Sequence, residues 1–237
     1  MSGAVEGLKR LGMDEIALRK GQGHYVVVLV DLDRKQLIGM VRSRKHEDIQ
    51  EVVKEWGTQV LSQVEEVSID LSRNYRGLIQ KVMPNAVIVG DRFHVIQLIS
   101  KELNSARNQV IKAIVTHPDK AQKDRIKSSL KSSKYALLKP EESLSEAQKL
   151  KLEAMRQVSP LLAQMHQQKE MLRAIFETTQ TAMDAVFEIS DWLEAAKGTF
   201  PNSVRTIENW LEEITSYFFN RTTSGVVEGI RIWVQKL

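Results

Sequence analysis

The chain has 237 residues, 42% hydrophobic and 27% charged, which is long and apolar enough to bury one large core or two small ones. It contains no cysteine, so disulfides and thiolate zinc sites are excluded, and its net charge of +4 agrees with a polyanionic partner without requiring one. No apolar run is long enough to span a bilayer and the first residues do not resemble a signal peptide, so a cytoplasmic protein with no membrane contact is expected.

The first third reads mainly as strands. An apolar segment runs from Leu11 to Leu18, followed by HYVVVLVDLD from His24 and QLIGMVRSR from Gln36. Gly21-Gln22-Gly23 and Asp33-Arg34-Lys35 separate them and are short enough for hairpin turns, which predicts an antiparallel meander. EDIQEVVKEWGTQVL puts Ile49, Val52, Val53, Trp56 and Val60 on one helical face. EEVSIDLS then reaches Asp70, YRGLIQKV forms a helix that Pro84-Asn85 ends, and NAVIVGDRFH reaches Asp91. Such a strand, helix, strand unit is a parallel crossover, and open sheets bind ligands at the carboxyl ends of their strands. The order of elements is βββαβαβ.

From Val95 onward the pattern is helical. Ile96, Ile99, Leu103, Ala106, Val110 and Ala113 recur at three and four positions until His117-Pro118 interrupts them. The most basic tract follows, with Lys120, Lys123, Arg125, Lys127, Lys131 and Lys134. It reads either as a solvated linker or helix face, or as a surface contacting phosphates. Ser143 with Glu146 predicts a capping box, and helical patterns run from there through Trp192 and again from Asn202 to Phe219. Trp192, Trp210, Tyr217 and Phe218 suit core packing better than base stacking, and Phe93 also reads as core.

Acidic residues carry the chemistry. Asp14 lies in the first predicted strand and Asp70 ends the fourth, so a sheet of order 3-2-1-4-5 makes them neighbours. Two facing carboxylates repel unless a cation lies between them. Mg²⁺ or Mn²⁺ suits an oxygen-only site, which in phosphoryl transfer can hold two ions about 4 Å apart. Glu228, after the turn-like Thr-Thr-Ser-Gly, is the best third acid. Other readings stand beside these: Asp14 with Glu15 as solvated surface, and Asp70 or Ser72 as a helix cap. Asp31 and Asp33 fit turn chemistry. Arg42, Arg44 and Lys45 either meet DNA backbone or guard an edge strand with charge. His24, His46, His117 and His166 have no convergent partner visible in the sequence.

The segments GMDEIALRKGQGHYVVVLVDLD, SIDLSRNY, PNAVIVGDRFHVIQL and YFFNRTTSGVVEGI, in this order and spacing, resemble the catalytic region of DDE transposases from bacterial insertion sequences, in the ISL-three family. The resemblance covers essentially the whole chain. It implies an α/β, RNase H-like mixed five-stranded sheet of order 3-2-1-4-5 with an all-helical insertion after strand five. Residues 1–97 would form the core, 98–220 the insertion and 221–237 the last catalytic helix. It implies that Asp14, Asp70 and Glu228 are the catalytic, metal-binding triad, and that Asp91 and His94, an Asp-x-x-His pattern, either support it or form an N-capping aspartate with a stacked histidine. By this reading Mg²⁺ activates water to nick DNA at terminal inverted repeats, the freed 3′-hydroxyl attacks target DNA, and the protein works as a homo-oligomer on DNA in the bacterial cytoplasm. Two departures are visible: Arg231 and Ile232 stand where the family commonly has asparagines, and no cysteine-rich zinc module or helix-turn-helix precedes the core. The alternative expectation is therefore a truncated, inactive RNase H-like fragment that binds DNA or a partner subunit.

Overall fold

A computed structural model describes residues 5–17, 25–114, 118–223 and 225. The chain divides into two compact units, one running through Val95 and resuming at Trp210, the other comprising Ile96–Asn209. Among the described residues no helix is long and apolar enough to cross a membrane.

The first unit is built on β1 (Arg10–Ala17), β2 (Tyr25–Asp31), β3 (Gln36–Val41), β4 (Glu66–Ile69) and β5 (Val87–Gly90), in the order β3-β2-β1-β4-β5. β1, β2 and β3 pair antiparallel, whereas β1 with β4 and β4 with β5 pair parallel, giving the expected mixed α/β sheet. β-branched residues in β2 bury both of its faces. Val26, Val28 and Val30 join Ile16 and Leu32 in one cluster, and Val27 and Leu29 are equally buried on the alternate positions. At the following turn the Asp31 carboxylate accepts the amides of Asp33 (3.0 Å) and Arg34 (2.9 Å), the turn role expected of it.

The single helix expected after β3 is two, α1 (His46–Lys54) and α2 (Thr58–Gln63). Gly57 between them has φ +84, a conformation that glycine adopts without a Cβ clash. α3 (Arg73–Val82) is the crossover helix and buries Tyr75, Leu78 and Ile79. The later helix α11 (Leu211–Asn220) packs on β5, where a Cβ on Gly90 would lie 3.1 Å from Ile214 Cγ1 and 3.3 Å from the Ile214 nitrogen. The missing side chain lets the helix approach directly beside Asp91.

The second unit is helical. α4 (Arg92–Ile114) starts in the first unit and continues into this one, followed by α5 (Lys120–Leu130), α6 (Lys134–Leu138), α7 (Glu146–Val158), α8 (Pro160–Thr178), α9 (Ala182–Ala196) and α10 (Pro201–Asn209). The capping box on α7 is made by Ser145 and Gln148, not by Ser143 and Glu146. Ser143 is occupied instead in a short 3-10 turn, its hydroxyl donating to the Pro140 carbonyl at 2.9 Å. Ser159 caps α8 with Pro160 in its first turn, which breaks the long pattern expected through Trp192. Trp192 is buried and donates its indole N–H to the Gln168 carbonyl at 2.7 Å; Trp210, Tyr217 and Phe218 are buried in the first unit. Phe93 departs from expectation, standing 37% exposed.

α8 also buries charge. Lys169 is inaccessible and donates to the carbonyls of Leu137 (2.9 Å) and Lys139 (2.8 Å), with Glu170 at 2.6 Å. His166, one turn earlier, is inaccessible as well, with Arg156 3.4 Å from its Nδ1. Burial, helped by the positive Lys169, holds the His166 imidazole down to about 4.

Candidate active site

The β1–β4 register pairs Gly12 with Ser68 and Met13 with Ile69, so the residues that follow on these neighbouring parallel strands are Asp14 and Asp70. Asp70 lies just beyond the carboxyl end of β4. Its Oδ1 is buried and has no hydrogen-bond partner among the described residues. Burial pushes the Asp70 carboxyl up to about 6; His94 opposes this while Asp14 and Glu15 add to it, and the Ser72 amide donates to the same carboxylate. Ser72 is the N-cap residue of α3, and its own side chain makes no cap hydrogen bond among the described residues.

Asp14 Oδ1 accepts the Glu15 amide at 2.7 Å and faces His94 Nε2 at 3.7 Å. His94 stands in the first turn of α4, with its Nδ1 3.1 Å from Asp91 Oδ2. Burial alone would lower the His94 pKa; the Asp91 hydrogen bond and the charges of Asp14, Asp91 and Asp70 outweigh it and hold the imidazole above its ordinary value. Asp91 meets both neighbours at the helix start: Oδ2 holds His94, and Oδ1 lies 3.4 Å from the Phe93 amide. Four side chains from β1, β4, β5 and α4 thus gather at one end of the sheet.

The next side chain along β1, Glu15, makes a separate cluster. It accepts from Arg44 Nε at 2.7 Å and from the Tyr75 hydroxyl at 3.1 Å, and the Arg44 guanidinium lies 4.5 Å from the Tyr25 ring centroid. Arg44 is therefore committed to an ion pair, while Arg42 and Lys45 beside it are exposed. Lys120, Lys123, Arg125 and Lys127 project from α5, with Lys131 directly after it; all except the partly covered Lys123 are exposed.

Among the described residues no three His, Asp or Glu side chains converge closely enough to hold a metal ion by themselves. Glu228, with Arg231 and Ile232, lies outside the described residues. The donor set that is described fits a hard divalent cation: two carboxylates on adjacent strands, one with a buried oxygen that no described residue satisfies.

Sequence reading missed the groups that brace this site. Thr223 donates its hydroxyl to Asp91 Oδ1 at 3.0 Å, and Glu66, buried at the start of β4, accepts from Asn220 and Thr222. Thr222 and Thr223 stood in the sequence only as part of a turn-like run. Glu66 had no visible signal, because its partners lie more than 150 residues further along the chain.

A family model described as a transposase, of the DDE class and ISL-three type, matches residues 11–236. The chain belongs to the ISL-three family of transposases. This transposase chain is 25% identical over 228 residues to the transposase for insertion sequence element IS1001 of Bordetella parapertussis, covering 94% of the chain and 54% of that relative. It is 26% identical over 184 residues to the transposase for insertion sequence element IS1557 of Mycobacterium tuberculosis, covering 71% of the chain and 41% of that relative. The chain spans about half the length of the curated relatives it matches. No solved structure matches it.

Proposed function

We propose that this chain is the catalytic region of an insertion-sequence transposase, cutting DNA at the element's terminal inverted repeats and joining the freed 3′ ends to target DNA. Asp14, Asp70 and Glu228 are the acids that would hold Mg²⁺ or Mn²⁺, as one ion or a pair. The observation that carries this reading is the register of β1 on β4, which sets Asp14 beside Asp70 with an unsatisfied buried carboxylate oxygen between strand and helix.

When bound, the cation would supply Lewis-acid activation and charge neutralisation at the scissile phosphate. The chain's own residues do the rest by position. Asp91 pins His94 through Nδ1, so that Nε2 faces Asp14 and holds its carboxylate from swinging away. Burial of Asp70 excludes water from one of its oxygens, leaving that oxygen free for a ligand. The attacking group is water in the nicking step and the DNA 3′-hydroxyl in the joining step, so no side chain forms a covalent intermediate. Catalysis comes from holding nucleophile and phosphodiester in line. Exposed cations at Arg42 and Lys45, and at Lys120, Arg125, Lys127 and Lys131, with the partly covered Lys123 among them, are proposed to meet phosphates, and paired element ends call for a homo-oligomer.

Calorimetric titration with Mn²⁺ tests the site. Binding heat in the unsubstituted chain that disappears in Asp14→Ala and in Asp70→Ala is expected; heat that is absent, or indifferent to both changes, defeats the proposal. Strand transfer of a pre-cleaved element end into plasmid DNA tests the activity. Product that requires Mn²⁺, Asp14, Asp70 and Glu228 supports the enzyme, whereas metal binding without product identifies an inert binding fragment.

A further inference from the structure

The topology brings an aimed arginine to the acidic end of the sheet. β1, β3 and β4 run in one direction, so the residues that follow β3 stand at the same end as Asp70. Glu15, Val27 and Val41 lie in one row across β1, β2 and β3, and Arg44 comes shortly after Val41. Glu15 Oε2 accepts from Arg44 Nε at 2.7 Å, and Tyr75, 3% exposed, donates its hydroxyl to the same oxygen at 3.1 Å. The Tyr25 ring supports the flat side of the guanidinium, with its centroid 4.5 Å from the Arg44 Cζ.

This arrangement uses one donor and one face of the guanidinium and leaves the rest. Arginine presents several N–H donors in a planar fork, and Glu15 takes only the one on Nε. Among the described residues the terminal nitrogens Nη1 and Nη2 have no hydrogen-bond partner, and the side chain is 61% exposed. Their end-on edge matches the spacing of two phosphate oxygens. A guanidinium already clamped on its Nε side loses little freedom when it binds them.

Electrostatics favour the same use. Asp14 and Glu15 both act on the Asp70 carboxyl, so Arg44 stands against the group of acids that a phosphodiester has to approach. Without fixed positive charge there, the approach of DNA meets only repulsion until a metal ion is bound.

We propose that Arg44 grips a DNA phosphate at the strand end that carries Asp70, binding two of its oxygens through Nη1 and Nη2, while Glu15, Tyr75 and Tyr25 are the positioning residues that aim it. This rests on the reading of the chain as a protein that acts on DNA. The ion pair with Glu15 persists in the complex, because it uses a different donor.

The test is fluorescence-anisotropy titration of a short duplex with the full 237-residue chain at several salt concentrations, alongside Mn²⁺ titration and thermal unfolding. Arg44→Lys keeps the charge but loses the fork; it is expected to weaken binding roughly tenfold at an unchanged salt slope. Arg44→Gln is expected to lower the slope of log affinity against log salt by about 0.9. Tyr25→Phe, which keeps the ring, is expected to bind as the parent does, and Tyr25→Leu roughly threefold more weakly. In the Arg44→Gln background Tyr25→Leu is expected to have no further effect. Mn²⁺ binding and unfolding temperature are expected to stay unchanged in Arg44→Lys. Parental affinity in Arg44→Lys, an unaltered slope in Arg44→Gln, or additive losses from Arg44→Gln and Tyr25→Leu overturns the proposal. So does a loss of Mn²⁺ binding or of thermal stability in Arg44→Lys, which would make Arg44 a brace for the acids. A chain that binds no duplex at any salt concentration defeats the reading of a DNA-acting protein, and the grip falls with it. Duplex binding whose slope responds to Lys120, Lys123 and Lys127 but not to Arg44 removes the grip alone.

Discussion

Replacing Asp70 by asparagine is expected to make the metal-free protein more stable while abolishing metal binding. In the unfolded chain this carboxyl has its ordinary value of 3.8, and in the fold burial pushes it up to about 6, so the folded state disfavours the ionised form. The sign follows from linkage: stability associated with the neutral carboxyl is complete below 3.8 and is lost as pH rises through about 6. The displacement corresponds to at most about 3 kcal/mol above the folded pKa, falling to about 1 kcal/mol at pH 4.5. Asparagine keeps the shape and cannot ionise. Urea unfolding followed by circular dichroism in a chelating buffer at pH 8 and pH 4.5 measures the difference, which should be large at the first pH and small at the second. Mn²⁺ at a hundred times its dissociation constant should then stabilise only the unsubstituted chain, by about 2.7 kcal/mol, nearly cancelling the advantage of the variant. A variant no more stable than the parent at pH 8, or a gain equal at both pH values, would refute the reasoning that Asp70 is held in an electrostatically unfavourable place.

Three other outcomes follow from the structure. Gly90→Ala sets a methyl group 3.1 Å from Ile214 and 3.3 Å from the helix backbone, so α11 must lift from β5; differential scanning fluorimetry should show a loss of about 1–3 kcal/mol, and an unchanged transition would contradict the close packing. His166 is buried neutral, with its pKa held down to about 4 from 6.5, so its contribution to stability is complete above 6.5 and is lost as pH falls toward 4, by about 3 kcal/mol; His166→Gln should flatten that part of the stability profile. Changing Lys120, Lys123 and Lys127 together to glutamine should lower the slope of log affinity against log salt on duplex DNA by about 0.9 for each phosphate no longer neutralised, and an unaltered slope would mark α5 as a merely solvated helix.

The sheet was legible because its strands are short β-branched runs separated by turn residues; the crossover accounts only for β4 beside β5, and the full order came from the family resemblance. The closeness of Asp14 and Asp70 is a direct result of that order, which is why two acids far apart in sequence were readable as a pair. Local signals misled where two solutions competed over a few residues. Ser143 and Ser145 both offer a serine three positions before Glu146 or Gln148, and the Pro140 turn takes the first of them. One helical face ran past Gly57, yet the backbone there is left-handed. The rest depends on distant segments meeting. Glu66 looks like an ordinary strand acid until Asn220 and Thr222 arrive, and His166 and Lys169 sit in the apolar stripe of α8 without showing what they face. That stripe was the available clue, since a histidine and a lysine in register with Leu162, Met165 and Leu172 cannot point to solvent.

The ammonium of Lys169 has a consequence for the order of assembly. α6 is 5 residues long, too short to persist alone in water, and its last turn ends on the carbonyls that this cation holds. The segment from Lys134 to Leu138 is therefore a dependent of α8: it winds only after the longer helix has formed, and amide exchange should find it unprotected in any intermediate where α8 is still unwound.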